Sequence, residues 1–249
     1  MDWVMGLGDG FIKWLLLTKE VSAMASSVVP SSVSPIRTSK IAKPNATAKA
    51  APSVFTLRVE LTESVPPIWR QIEIDSRATL EVLHHVLQAA MGRTDSHLHE
   101  FEIAGKRYAK PEDDEYGDGP ETLDEAQFTL KDLLKKGKTC SYIYDFGDGW
   151  RHRITLETIK PSSRSVCDVG NAWIEDGQQA CPPEDCGGIW TYQDFLKDYA
   201  EEPDGKDALD FRDWAGMDFD PERFDRKAAN AAIARMFWNH WIKIGGTDK

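Results

Sequence analysis

No apolar run in this 249-residue chain is long enough to cross a bilayer. Phe11 to Leu17 is apolar but short and broken by Lys13, and no small-residue cleavage site follows at the distance a secretory signal requires. Cysteine is scarce: there are four, Cys140, Cys167, Cys181 and Cys186, and none forms a CxxC pair. Without a secretory route, a disulfide framework loses its oxidising compartment. No acidic residue occurs between Glu20 and Glu60, and no internal repeat is visible. A membrane protein, a secreted disulfide scaffold and a solenoid are therefore all set aside, and the cytoplasm is the expected compartment.

What is present divides unevenly along the chain. Residues 1–52 carry six Lys/Arg against three acids, so the remaining residues hold a net −14 of the overall −11. An acidic body repels a phosphate backbone unless a local basic patch overrides it, which argues against direct nucleic-acid binding. Ser, Ala, Pro, Thr and Lys dominate residues 22–53 without apolar periodicity, the composition of a disordered segment. The same basic, Ser-rich, acid-poor character also fits an organelle transit peptide, above all if the start is Met24. Residues 1–52 are accordingly read as a disordered or targeting segment, and residues 53–249 as the folded part. The 41% hydrophobic content, with nine Trp and ten Phe, is sufficient for a core.

From Ser53 the periodicities become regular. Phe55, Leu57, Val59 and Leu61 alternate with polar residues, as do Ile68, Arg70, Ile72 and Ile74 after Pro66-Pro67, predicting two half-buried strands. Asp75 or Ser76 is placed to cap a helix whose apolar face is Leu80, Leu83, Val86, Leu87 and Ala90, with Gly92 as its stop. A strand is expected over residues 97–103, an acidic Gly/Pro-containing loop over 110–121, and a short helix over 130–136 begun by Thr129 and ended by Gly137. Residues 160–187 show little periodicity, a length that calls for a function or a tether. Helices are expected over 191–200 and 221–243, the second begun by Asp220-Pro221 or by Asp225.

Between two strands lies the most concentrated chemistry of the chain, Tyr144-Asp145-Phe146-Gly147-Asp148-Gly149-Trp150-Arg151-His152. Gly147 and Gly149 admit the positive φ of a tight reversal, so this is a hairpin carrying two carboxylates, a cation and an imidazole. His97 and His99, two apart on the expected strand, would share one face. Two imidazoles suit zinc or iron if a carboxylate such as Asp145 completes the set. A His–Asp pair equally suits acid–base work, and a buried hydrogen-bonding histidine beside a solvated one is the plain alternative. Cys140, Cys167, Cys181 and Cys186 could hold a zinc ion in the aperiodic stretch, although free buried thiols are the plain reading there. Pro182-Pro183 and Gly187-Gly188 make a stiff corner, holding Glu184 and Asp185 either near the hairpin carboxylates or against backbone amides. Arg70 is expected to pair with an acid.

Pro66-Pro67-Ile68-Trp69-Arg70, the helix with His84, Ser96-His97-Leu98-His99-Glu100-Phe101, the hairpin and Cys181-Pro182-Pro183-Glu184-Asp185-Cys186-Gly187-Gly188 occur in that order. Together they resemble the plasmid pRiA4b ORF-3-like family, which includes resolvase-like passenger proteins of mobile insertion elements. The resemblance runs from about Val54 to about Asn230. It implies an α+β fold of the α/β-roll kind, a small mixed sheet with packed helices, and implies no established activity. Arg93 departs from it, because an aromatic is usual after the glycine there.

Three functions stay open. The first is an interaction or ligand-binding module whose polar rim (His97, His99, Asp145, Asp148, His152) recognises a protein or small molecule. The second is a metal-dependent hydrolase or nuclease using the same His/Asp cluster. The third is a DNA-associated recombination accessory factor, although no serine- or tyrosine-recombinase pattern is visible. Limited proteolysis is expected to trim the chain before Ser53 and to spare the body from Val54 to about Asn230. Cuts confined to the body would contradict this division.

Overall fold

A computed structural model of the chain describes residues 53–111, 122–162 and 171–244, all within one compact unit spanning residues 48–249. The expectations for residues 1–52, for most of the acidic loop and for Cys167 lie outside the described residues. The strands are β1 (Ser53–Leu61), β2 (Trp69–Asp75), β3 (His99–Ile103), β4 (Lys106–Ala109), β5 (Thr122–Asp124), β6 (Thr139–Tyr144), β7 (Trp150–Pro161) and β8 (Ala172–Gln178). The helices are α1 (Leu80–Met91), α2 (Leu130–Leu133), α3 (Gly188–Glu201), α4 (Lys206–Ala215) and α5 (Arg226–Trp238), with a 3-10 turn at Glu125–Gln127. The strands form one sheet in the order β5-β4-β3-β6-β7-β1-β2-β8. Only the β4–β5 pair is parallel, so the sheet is mixed and the fold is α+β.

Alternation decides which face is covered. On β7, buried Trp150, His152, Ile154 and Leu156 alternate with exposed Arg151 and Arg153, so the two faces differ sharply in polarity. The buried face shares its core with Leu80, Leu83, Val86, Leu87 and Ala90 of α1, Tyr192 and Phe195 of α3, and Ile233 and Phe237 of α5. On the polar face, Arg153 pairs with Glu60 across the β1–β7 register.

Helix α1 begins one turn later than the Asp75 or Ser76 start. Asp75 is instead buried against Arg77, its Oδ2 2.6 Å from Nη2, and Thr79 is the cap, its Oγ1 accepting Val82 N–H at 3.3 Å. Gly92 does end α1, in the left-handed conformation (φ 74°). Asp225 starts α5 by accepting Ala228 N–H at 2.9 Å. Helix α2 stops at Leu133, short of the expected span. The stretch read as aperiodic contains strand β8, which alternates over its first three residues only and lies at the sheet edge. Asn230 of α5 covers that edge, its Oδ1 accepting Ile174 N–H at 2.8 Å and its Nδ2 donating to Ile174 O at 3.0 Å.

Arg70 corrects another expectation. It pairs with no acid among the described residues. Nε donates to Ala90 O (2.9 Å), Nη1 to Trp69 O and Gln178 O (2.7 Å each), and Nη2 to Gln179 O (2.9 Å). Its guanidinium lies 3.7 Å above the Phe224 ring. Gly177 lets the two stack: a Cβ there would stand 2.6 Å from Phe224 and 2.8 Å from Arg70 Cδ. Gly177→Ala is therefore expected to cost about 1–3 kcal/mol through overpacking. That corresponds to a melting point lower by about 2–4 °C per kcal/mol in a domain of this size. An unchanged thermal transition would show that the stack has room to yield.

Candidate functional site

Three chain reversals meet at one end of the sheet: the α1–β3 loop, the β6–β7 hairpin and the β8–α3 corner. The hairpin is shaped by Asp145. Its backbone is left-handed (φ 58°), which Asp tolerates better than most residues. Its N–H donates to Leu98 O at 2.9 Å, and its Oδ1 accepts Gly147 N–H at 2.9 Å and Asp148 N–H at 3.3 Å. One carboxylate oxygen is thus spent on the turn, an Asx-type closure, and Oδ2 faces away towards His97.

The corner is held to the hairpin by Asp148, whose Oδ2 accepts Gly187 N–H at 3.2 Å. Gly188 sits so close that a Cβ would lie 2.8 Å from Asp148 O, and its φ is +82°, so no other residue fits. Glu184 clamps the corner to the α1–β3 loop. Its Oε1 accepts from Thr94 N–H (2.9 Å), Thr94 Oγ1 (3.2 Å) and Tyr144 OH (3.1 Å), while Oε2 accepts from Arg93 at 3.3 Å. Asp185, also left-handed (φ 54°), then swings its carboxylate over the loop.

The outcome is a convergent triad. His97 Nε2 lies 3.1 Å from Asp185 Oδ1 and 3.8 Å from Asp145 Oδ2, and the three ligand-capable atoms fall within 4.8 Å of one another. Yet His97 Nε2 makes no hydrogen bond, because neither oxygen lies in the geometry a ring N–H needs. Burial is graded: the Asp145 side chain is 9% exposed and that of Asp185 69%. The His97 ring is fixed edge-on against Tyr144, centroids 5.8 Å apart.

His99 does not join this group. Strand β3 begins at His99, so His97 belongs to the preceding loop and the two-residue strand period does not relate them. His99 bonds Glu125 instead, at 2.8 Å, and stacks on His84 at 3.5 Å with rings 6° from parallel. His84 in turn contacts Tyr142 OH through Nδ1 (2.8 Å) and Asp95 Oδ1 through Nε2 (2.7 Å). This inner polar chain is not apparent from motifs. Its available signal is that His84 and Gln88 share a helix face at four-residue spacing, and both reach Tyr142 OH.

His152 is also separate, buried on the sheet opposite Tyr142. Burial, and then the Arg93 guanidinium, lower its pKa from 6.5 to about 3. His84 is lowered to about 3 as well, by burial first and then by His99. Arg93, standing where the family resemblance has an aromatic, lays its guanidinium 4.5 Å from the centre of the Trp150 ring. It fills the slot by cation–π stacking and donates to Pro183 O at 3.2 Å. Cys167 lies outside the described residues, and among the described residues no group of three or more converging metal-ligating side chains contains a cysteine. Cys140, Cys181 and Cys186 are free, and burial pushes the Cys140 and Cys186 thiols up to about 12. No helix among the described residues is long and apolar enough to cross a membrane.

The depressed histidine pKa values set an acid limit. Between pH 6.5 and about 3, the unfolded chain takes up a proton at His152 that the folded chain refuses. Stability is therefore complete above that window and falls as pH drops through it, by up to about 1.4 kcal/mol per pH unit for each such histidine. Thermal melts from pH 7 to pH 4 should show this loss. His152→Phe should remove one proton's share of the slope, and an identical slope in that variant would exclude His152 as its source.

Comparison with known proteins bears on the whole arrangement. The profile of plasmid pRiA4b ORF-3-like proteins matches residues 53–228. The uncharacterized protein y4hQ of Sinorhizobium fredii is 36% identical over 184 residues, covering 73% of this chain and 91% of that one. A crystal structure of a protein of unknown function, MM3350 from Methanosarcina mazei Go1, is similar with a TM-score of 0.63 and 32% identity. That similarity covers 71% of this chain and 97% of the other.

Proposed function

The chain belongs to the plasmid pRiA4b ORF-3-like family, and from that premise we propose that it is a ligand-binding module whose working site is a divalent cation held by His97, Asp145 and Asp185. The carrying observation is the convergence of three ligand-capable atoms from three separate chain reversals, with the His97 Nε2 lone of any hydrogen bond. An imidazole and two carboxylates are a donor set for Zn²⁺, Mn²⁺ or Fe²⁺. Rigid backbone closures fix two of the three donors before a cation arrives, and such preorganisation raises affinity. The exposed side at Asp185 leaves coordination positions for a protein carboxylate, a small molecule or water.

That open side also supports a second reading, a metal-dependent hydrolase or nuclease, because an open coordination position is what activates water or polarises a scissile bond. Nucleic-acid association ranks behind both, since a body of net −14 from residue 53 onward opposes it.

Protein purified without added metal, then titrated calorimetrically with Mn²⁺ or Zn²⁺, should take up one equivalent. Asp185→Asn is surface-exposed and safe for folding, and it should weaken that uptake about tenfold or more through loss of a charged ligand. Stoichiometric binding unaffected by both Asp185→Asn and His97→Ala would remove the proposal. Metal-dependent turnover of a p-nitrophenyl phosphodiester that vanishes in Asp145→Ala would move the assignment to the hydrolase reading.

A further inference from the structure

A second site lies on a different part of the molecule, between α1 and α5. A cavity of about 330 Å³ opens there, lined among others by His85, Asp95, Ala89, Arg235, Met236 and Trp241. Its size is at the lower end for ligand pockets, which suits a small metabolite. None of these side chains takes part in the His97–Asp145–Asp185 group.

The charges of this cavity are unusual in their arrangement. Arg235 is exposed on the last turn of α5 and has no acidic partner among the described residues. Asp95 lines the same cavity but is not paired with it. The Asp95 carboxylate is held in place from behind, by His84 Nε2 at 2.7 Å and His85 Nδ1 at 3.4 Å, and its side chain still keeps 43% of its surface open. The backbone is fixed too: Asp95 is left-handed (φ 58°) and its N–H donates to Gln88 Oε1 at 3.0 Å. A positive and a negative group thus face one cavity without neutralising each other. Beside them, Trp241 presents an indole that is 66% exposed, and Met236 a polarisable thioether.

We propose that this cavity binds a small zwitterion of the amino-acid type, with Arg235 taking its carboxylate, Asp95 its ammonium group, and Trp241 and Met236 its apolar side chain. Arg93 also lines the cavity but is already paired with Glu184 at 3.3 Å, so a ligand of single charge would leave either Arg235 or Asp95 unmatched. A dipolar ligand matches both, and a planar or thioether-like side chain would use the indole face. The preset Asp95 carboxylate lowers the ordering cost of binding.

The test is calorimetric or NMR titration of the full-length chain in metal-free buffer, so that the cation site plays no part. The probes are L-phenylalanine, N-acetyl-L-phenylalanine, which lacks the cation, and L-phenylalaninamide, which lacks the anion. L-phenylalanine should bind, and each derivative should bind about tenfold or more weakly, as expected for loss of a charge-assisted contact. Arg235→Ala and Trp241→Ala, both at exposed positions, should each weaken L-phenylalanine binding to a similar degree. Arg223→Ala, an exposed arginine outside the cavity, should leave it unchanged. The proposal is overturned if no saturable binding occurs at millimolar L-phenylalanine. It is equally overturned if the derivatives bind as well as the parent, or if Arg235→Ala and Trp241→Ala bind like the parent chain.

Discussion

Arg70 is the contact from which the rest of the architecture takes its geometry. A guanidinium with 1% of its surface exposed is costly to desolvate, and burial lowers its pKa to about 10. The compensation comes from backbone carbonyls and the face of Phe224, with no carboxylate involved. Those carbonyls are not scattered. Ala90 O belongs to the last turn of α1, just before the loop that carries His97. Gln178 O ends β8 and Gln179 O follows it, just before the corner that carries Asp185. One side chain therefore sets the departure points of two of the three segments that form the candidate site. A neutral replacement would leave several buried acceptors without donors, an outcome worse than losing the hydrogen bonds alone.

The third segment is positioned by the hairpin itself, and here the means are local. Asp145, Asp185 and Asp95 all sit in the left-handed region, as do Gly149, Gly187 and Gly188. Each non-glycine residue in that region carries a strain of about 1–3 kcal/mol that the surroundings must hold. The surroundings here are backbone amides donating to side-chain carboxylates: Gly147 and Asp148 to Asp145, Gly187 to Asp148, and Thr94 to Glu184. Such closures aim side chains independently of any strand face. That is why His97 and Asp185, from an irregular loop and an irregular corner, meet while His97 and His99, neighbours in sequence, part.

The same distinction explains what was legible beforehand. β1, β2, α1 with its Gly92 stop, and the β6–β7 hairpin are elements whose buried faces repeat with a clean period, and they read directly from the residues. β4 and β5 are too short to establish a period, and α4 buries only Ala208 and starts at Gly205, which has no side chain to cap it, so none of them stands out. β8 hides because edge pairing and Asn230, both distant in sequence, stabilise it. At the candidate site, Asp145 was visible because Gly147 and Gly149 follow it closely in a turn. Asp185 was only half visible, since Pro182-Pro183 and Gly187-Gly188 signal a stiff corner without saying what the corner faces. His99 misled, because a His-x-His pair invites a strand reading two residues too early.

Local rules of good construction are broken most densely around this end of the sheet. Two carboxylates converge on one nitrogen in a chain that is already net negative. Their mutual repulsion is relieved on the Asp145 side by two backbone amides and on the Asp185 side by solvent, so the arrangement is held but not neutralised. Behind it, Arg93 Nε and Nη2, Trp150 Nε1 and both His152 ring nitrogens are buried without hydrogen-bond partners. Elsewhere in the described sheet, β1, β2 and β7 alternate buried and less buried residues over most of their length, and their exposed charges pair across strands. Away from the sheet, Tyr192 Oη and Arg212 Nε are also buried without partners, so the departures are concentrated at this end of the sheet without being confined to it. Left-handed aspartates and converging carboxylates at this end are the departures that the proposed cation site would account for.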